Sequence, residues 1–258
     1  MATSPADSDD VLPEALRQAF DTHKVFDQHG DQVPLDSNVS LLEARQLYAI
    51  VGAIGATSTA EIGLAKGVSA MAICKAHADR GSGHHHIMDP FQQNYGNAGI
   101  AMLRRCGLEA RCSFHRAFAE EVFPTLPELD FVFIDASHLF DITLLEFVLA
   151  DKKLRVGGVI AFHDLWMPSL RKVLRFILTN RSYEIVTTPI AKGEQVTTRD
   201  PERGIKTIVR QLLWRLPFVG KILNPEVLHP WGNYGINNLV FVRKLASDQR
   251  EWTHFEKF

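Results

Sequence analysis

The stretch Thr59-Ala60-Glu61-Ile62-Gly63-Leu64-Ala65-Lys66-Gly67-Val68-Ser69-Ala70 decides how the rest of the chain is read. An acid closes a short apolar segment, and two glycines follow it four residues apart. Glycine lets the backbone turn tightly and lets a ligand lie against bare main chain. Residues 68–78 carry a helical pattern, so the turn aims a helix N-terminus into the crevice ahead of it. A strand, a glycine turn and a helix in this order predict a nucleotide-type binding site.

Outward from this turn, strands and helices alternate. Short apolar runs at 60–62, 86–88, 110–114, 131–134, 159–162, 183–187 and 238–243 read as strands. Helical periodicity fills 68–78, 95–106, 118–126, 140–154 and 169–178, and two more helices, 12–26 and 41–54, come first, the second with Ser40 as N-cap. Apolar strands between helices imply a parallel sheet buried on both faces. The expected fold is α/β: a doubly wound, seven-stranded, mostly parallel sheet of the Rossmann-like kind, with ligands outside the strand C-termini. The expected organisation is an N-terminal tail and helices over 1–55, one binding domain over 56–245, and a C-terminal tail over 246–258. The first ten residues read as disordered. Residues 189–237 exceed what a connection needs and read as an insertion, a lid or an oligomer contact, with a membrane-surface helix as the rival reading.

Bulk properties exclude several classes. The 258 residues are 46% hydrophobic and 22% charged, as in an ordinary globular domain. A net charge of −2 predicts no general attraction to nucleic acid. No window is apolar enough for a membrane span, and Met1 to Asp10 is too polar for a signal peptide. Cys74, Cys106 and Cys112 are odd in number and form no Cys-x-x-Cys pair, so they read as reduced thiols of a cytoplasmic protein.

The turn also selects among nucleotides. A nicotinamide dinucleotide favours Gly-x-Gly-x-x-Gly, where pyrophosphate presses on backbone N–H groups. Here Glu61 stands two residues before Gly63, and a carboxylate there repels pyrophosphate and suits a cationic ligand such as the amino acid end of S-adenosylmethionine. Asp89, closing the next strand, is placed to accept from ribose hydroxyls. With these residues the chain resembles, over roughly 40–245, the class I S-adenosylmethionine-dependent methyltransferases. The resemblance implies that Glu61, Gly63 and Gly67 contact the methionine part of the cofactor, that Asp89 holds its ribose, and that Ala117 and Phe118 lie beside adenine.

Two later blocks carry reactive groups. Phe133-Ile134-Asp135-Ala136-Ser137-His138 follows the fourth core strand, and Phe162-His163-Asp164 ends the fifth. Strand ends on one sheet edge converge, so these groups share a crevice. The blocks are similar to the small-molecule O-methyltransferase branch, including enzymes acting on macrolide sugars and their cephalosporin-pathway relatives. That resemblance implies a small-molecule hydroxyl as acceptor, His138 as general base beside Asp135, and Asp135, His163 and Asp164 as ligands of magnesium or another divalent metal. The chain departs from its relatives at His163, where they carry an acid; imidazole serves magnesium poorly. Three options stay open: a weak magnesium site on Asp135 and Asp164, a softer metal, or no metal at all.

His84-His85-His86 reads as a loop entering the sheet, since three successive strand residues cannot all reach one ion. The acceptor walls are expected from the N-terminal helices, from 165–168 with Trp166, and from the insertion with Trp231 and Tyr234. A homo-oligomer is compatible with the chain. The rival functions are a nicotinamide-dependent oxidoreductase and a non-catalytic cofactor-binding module of a biosynthetic complex.

Overall fold

The computed structural model describes residues 11–187 and 238–258, all within one compact unit. In chain order the elements are α1 (Glu14–Thr22), β1 (Lys24–Phe26), β2 (Gln32–Pro34), α2 (Leu41–Ala53), β3 (Ser58–Ile62), α3 (Val68–Asp79), β4 (His84–Met88), α4 (Ala98–Arg105) and β5 (Cys112–His115). They continue with α5 (Ala119–Val122), β6 (Leu129–Ile134), α6 (Phe140–Lys153), β7 (Leu154–Phe162), α7 (Pro168–Asn180), β8 (Tyr183–Val186) and β9 (Val240–Lys244). The expectations for residues 1–10 and for the 189–237 insertion, including Trp231 and Tyr234, lie outside the described residues.

Seven strands form one sheet in the order β5-β4-β3-β6-β7-β9-β8. The five from β3 to β7 run parallel, and β9 runs antiparallel to both its neighbours. The order reverses between β3 and β6, so the loops leaving these two strands part and open a crevice at the C-terminal edge. Burial follows the expected pattern. Phe131, Val132 and Phe133 of β6 and Val159, Ile160 and Ala161 of β7 are fully buried. Such continuous apolar runs suit strands covered on both faces. Helix α3 is buried along almost its whole length, which anchors the glycine turn against the sheet.

Helix α2 begins as its sequence predicts. The Ser40 hydroxyl accepts from Glu43 N at 3.3 Å, and Glu43 Oε2 accepts from Ser40 N at 2.7 Å, a closed capping box. Other boundaries differ from expectation. The first helix stops at Thr22, where His23 takes a left-handed conformation (φ 54°), and Lys24–Phe26 turns into a strand paired with Gln32–Pro34. The apolar Val25 and Phe26 continue the helical period by coincidence. The expected helix 95–106 begins only at Ala98, because Gly96 and Asn97 both have positive φ. Residues 118–126 make one α-turn and then a 3₁₀ turn, Phe123–Thr125, with Pro124 unable to donate. His84 and His85 belong to strand β4 and are not part of a loop.

Candidate active site

The glycine turn is fixed by close approach of main chain. Gly63 has φ +93°, and a Cβ there would stand 2.2 Å from the Asp135 carbonyl oxygen. Gly67 has φ +80° and packs on Gly99, leaving 2.9 Å between a notional Cβ and the Gly99 Cα. No side chain caps α3, so its first N–H groups face the crevice with the helix dipole behind them.

Asp89 ends β4 and is almost fully buried. Its Oδ2 accepts from Leu64 N (3.2 Å), Ala65 N (3.3 Å) and Gln92 Nε2 (3.0 Å), and its Oδ1 from Phe91 N (2.8 Å). The carboxylate thus clamps the turn to the neighbouring strand. Glu61 lies wholly buried beneath the turn, 3.3 Å from His85 Nε2. Burial pushes its carboxyl well above the ordinary range, and the Asp135 and Asp89 charges act in the same direction. The Ser69 hydroxyl approaches it and opposes that shift, without a well-aligned hydrogen bond. Phe118, after β5, stands about half exposed and meets Phe91 edge to face at 5.7 Å between ring centroids, with Ala117 half-buried beside it.

The second wall consists of side chains. Asp135 follows β6, His138 lies three residues on, and His163 and Asp164 close β7. Asp164 sits at φ +56°, a left-handed conformation uncommon outside glycine and one that aims its carboxylate at His138. His138 Nε2 lies 3.1 Å from Asp164 Oδ2 and 3.7 Å from Asp135 Oδ1. The Asp135 and Asp164 carboxylates raise this imidazole to about 9. In return His138 lowers Asp164, and His138 with His163 lowers Asp135 against the opposing effect of burial. His163 Nδ1 is 3.4 Å from Asp135 and 3.5 Å from Asp164; its Nε2 is 3.3 Å from Glu43 of α2 and 3.0 Å from Asn238. Burial alone would lower His163, but Asp135 and Glu43 outweigh it and hold the ring at about 10. At neutral pH the wall is therefore three carboxylates facing two imidazolium rings. Asp135, His138 and Asp164 each offer one ligand atom within 4.8 Å of the others, so the compact donor set contains His138, where the sequence pattern names His163.

One cavity of about 500 Å³ joins the two walls. Gly63, Leu64, Ala65, Val68 and Ser69 line one side, and Asp135, Ala136, His138, His163 and Asp164 the other. Of the residues expected at the site, Gly63, Asp135, His138, His163 and Asp164 border this cavity. Glu61, Gly67, Asp89, Ala117 and Phe118 do not border it; the first three support the turn from behind. Ser37, Asn38, Val39, Ser69 and Tyr95 also line it and were not singled out from the sequence. Only Ser69 had a signal, its place in the first turn after the glycines. Trp166 is largely exposed and donates its indole N–H to Asp164 at 3.0 Å.

Comparisons with known proteins agree with this geometry. Residues 60–165 match the family described as "Methyltransferase domain". A comparison with curated proteins gives no match. Among solved structures, the O-methyltransferase TomG from Streptomyces achromogenes, involved in tomaymycin synthesis and crystallised with S-adenosylmethionine, is 21% identical with a TM-score of 0.53, covering 67% of this chain and 81% of its own. An O-methyltransferase from Bacillus cereus in complex with S-adenosylhomocysteine is 20% identical with a TM-score of 0.52, covering 69% and 83%. The S-adenosylhomocysteine-bound methyltransferase PaMTH1 from Podospora anserina is 16% identical with a TM-score of 0.56, covering 69% and 85%. At these identities the likeness carries the fold, and the family match carries the activity class. The sheet is that of the class I methyltransferases. The match places a methyltransferase domain at residues 60–165, which speaks against the nicotinamide reading. Among the described residues no helix is long and apolar enough to cross a membrane.

Proposed function

We propose that the chain moves the methyl group of S-adenosylmethionine to a hydroxyl of a small molecule, with His138 as general base. The observation that carries this reading is the cavity between the two walls, with the backbone turn on one side and His138, held between two carboxylates, on the other. The family resemblance assigns the cofactor to Glu61, Gly63, Gly67, Asp89, Ala117, Phe118 and Asp135. Helix α3 and the turn would align the donor, and Asp89 would keep the turn closed. A sulfonium methyl is already electrophilic, so the protein's task is alignment and removal of the acceptor's proton. A neutral imidazole at His138 Nε2 takes that proton, and the two carboxylates stabilise the imidazolium that forms.

The donor set fits a divalent cation. Asp135 and Asp164 supply oxygens, and the buried ring nitrogens His138 Nε2 and His163 Nδ1 have no well-aligned hydrogen-bond partner. Asp135 and Asp164 with His163 would hold such an ion and leave His138 free as base; the same carboxylates with His138 would consume the base. Imidazole favours manganese, iron or zinc over magnesium. When bound, the ion supplies Lewis-acid polarisation of the acceptor hydroxyl. Undiminished turnover after EDTA treatment would remove the metal from this account.

We take residues 56–245 as the catalytic domain, between the helices of 1–55 and the tail of 246–258, working in the cytoplasm. The free thiols Cys74, Cys106 and Cys112 support a reducing compartment. The test is a screen of sugars, phenols and other hydroxylated natural products with isotope-labelled S-adenosylmethionine and mass detection. The expected product carries the label on oxygen. A label on nitrogen or carbon overturns the O-methyltransferase reading.

A further inference from the structure

Beneath the glycine turn a buried polar chain runs from Glu61 into the core. Thr59, Glu61, His77 and His85 have no exposed surface at all. The Thr59 hydroxyl lies 2.8 Å from His77 Nε2 and 2.9 Å from His85 Nδ1, and it can donate to the His84 carbonyl at 3.3 Å. His85 Nε2 then faces Glu61 Oε2 at 3.3 Å. Neither Glu61 oxygen has a well-aligned hydrogen-bond partner. The His77 ring is held against Gly83, where a Cβ would come within 2.1 Å of Nδ1, so the chain is anchored at its far end.

Proton bookkeeping restricts what this chain can be. A hydroxyl has one proton. If Thr59 donates to His84, it accepts from both rings, and His85 Nε2 presents a lone pair to Glu61. The contact is then satisfied when Glu61 carries a proton. Burial favours the same state, raising Glu61 well above the usual carboxylate range and lowering His85 to about 3. The ionisable groups around the pair are His84 on β4, Asp89 just after it, Asp135 after β6, Cys74 and His77 on α3, and Cys112 on β5. Ser69 lines the cavity and approaches Glu61, linking the buried pair to the cavity.

We propose that Glu61 and His85 share one buried proton in the resting protein, that capture of the cofactor's ammonium group at Ser69 expels it, and that His85 is a positioning residue for Glu61. In this step the Glu61 O–H bond breaks, its electron pair stays on the carboxylate, the proton passes to the buffer, and His85 remains neutral. The inference rests on Glu61 reading the amino acid end of S-adenosylmethionine. It makes cofactor affinity rise with pH, by about tenfold per unit while Glu61 starts protonated.

The test is calorimetric titration of the full chain with S-adenosylmethionine near pH 7 in buffers of different ionisation enthalpy. About one proton released per cofactor is expected. 5′-Methylthioadenosine, which lacks the amino acid end, should release none. Glu61→Gln should abolish the release and weaken S-adenosylmethionine by about tenfold or more, while any proton released at His138 or His163 would persist. His85→Gln places an amide N–H where the ring offers a lone pair, which favours the carboxylate and should reduce the release. S-adenosylmethionine binding with no proton release, or equal release in Glu61→Gln, overturns the inference alone. No binding of S-adenosylmethionine overturns the assignment of the turn beneath it.

Discussion

The donor wall presents Gly63, Leu64, Ala65, Val68 and Ser69 and keeps its acids out of the cavity, Glu61 buried beneath the turn and Asp89 consumed by four hydrogen bonds. The acceptor wall presents Asp135, His138, His163 and Asp164 directly to the cavity, each tied electrostatically to at least one of the others. One wall recognises by shape and backbone dipoles. The other stores charge, and its protonation state decides whether it can act. The first should fail on changes of backbone, with any pH response confined to the buried Glu61, and the second should respond to pH through His138.

The largest expected effect that separates the walls is Gly63→Ala. The new Cβ would meet the Asp135 carbonyl, at a φ that L-residues avoid. S-Adenosylmethionine affinity should fall by about 100-fold or more, roughly 2.7 kcal/mol, together with a lower melting temperature. Calorimetry and thermal unfolding check this, and unchanged affinity would break the claim that the donor wall is a backbone device.

A pH profile tests the other wall. The carboxylates hold His138 protonated up to about 9, and only its neutral form accepts a proton. Without added metal, kcat/KM should therefore fall about tenfold per pH unit below that value. A divalent ion on Asp135 and Asp164 would move the limb to lower pH, because it offsets the charge that raises the ring. A profile flat from pH 6 to 9 in chelator would exclude His138 as a freely titrating base.

The smallest effect lies far from both walls. Asp130 accepts from Thr57 N at 2.7 Å and Ser58 N at 3.0 Å and pairs with Arg155, tying the starts of β3 and β7 through β6. Burial opposes its ionisation, yet Arg155 and these bonds lower the carboxyl to about 2. Its contribution is present above its ordinary pKa and is lost as pH falls through about 2. Asp130→Ala should cost about 1–2 kcal/mol in urea unfolding and leave kcat unchanged.

The contrast between the walls also explains what could be read from sequence. The glycine turn is legible because Glu61, Gly63 and Gly67 fall within seven residues and their spacing is itself the backbone geometry. The convergence of Asp135, His138, His163 and Asp164 followed from strand ends sharing one edge. Their exact partnership did not, since Asp164's positive φ and the Glu43–His163 contact, 120 residues apart in number, leave no local pattern. Ser37, Asn38 and Val39 reach the cavity from a loop before α2, which no periodicity marks. The β1–β2 hairpin was hidden because three-residue strands are too short to break a helical period. His85 reads as loop in the sequence because its polar neighbours conceal a strand whose inward face is bonded to Thr59 rather than packed on apolar groups.

The most direct test of the central claim is His138→Ala, read as two separate numbers with the best acceptor from the screen. The account predicts that turnover falls by about 10²–10⁴-fold while the S-adenosylmethionine dissociation constant changes less than about twofold, or 0.4 kcal/mol. Near-normal turnover, or loss of cofactor binding in step with activity, would contradict it.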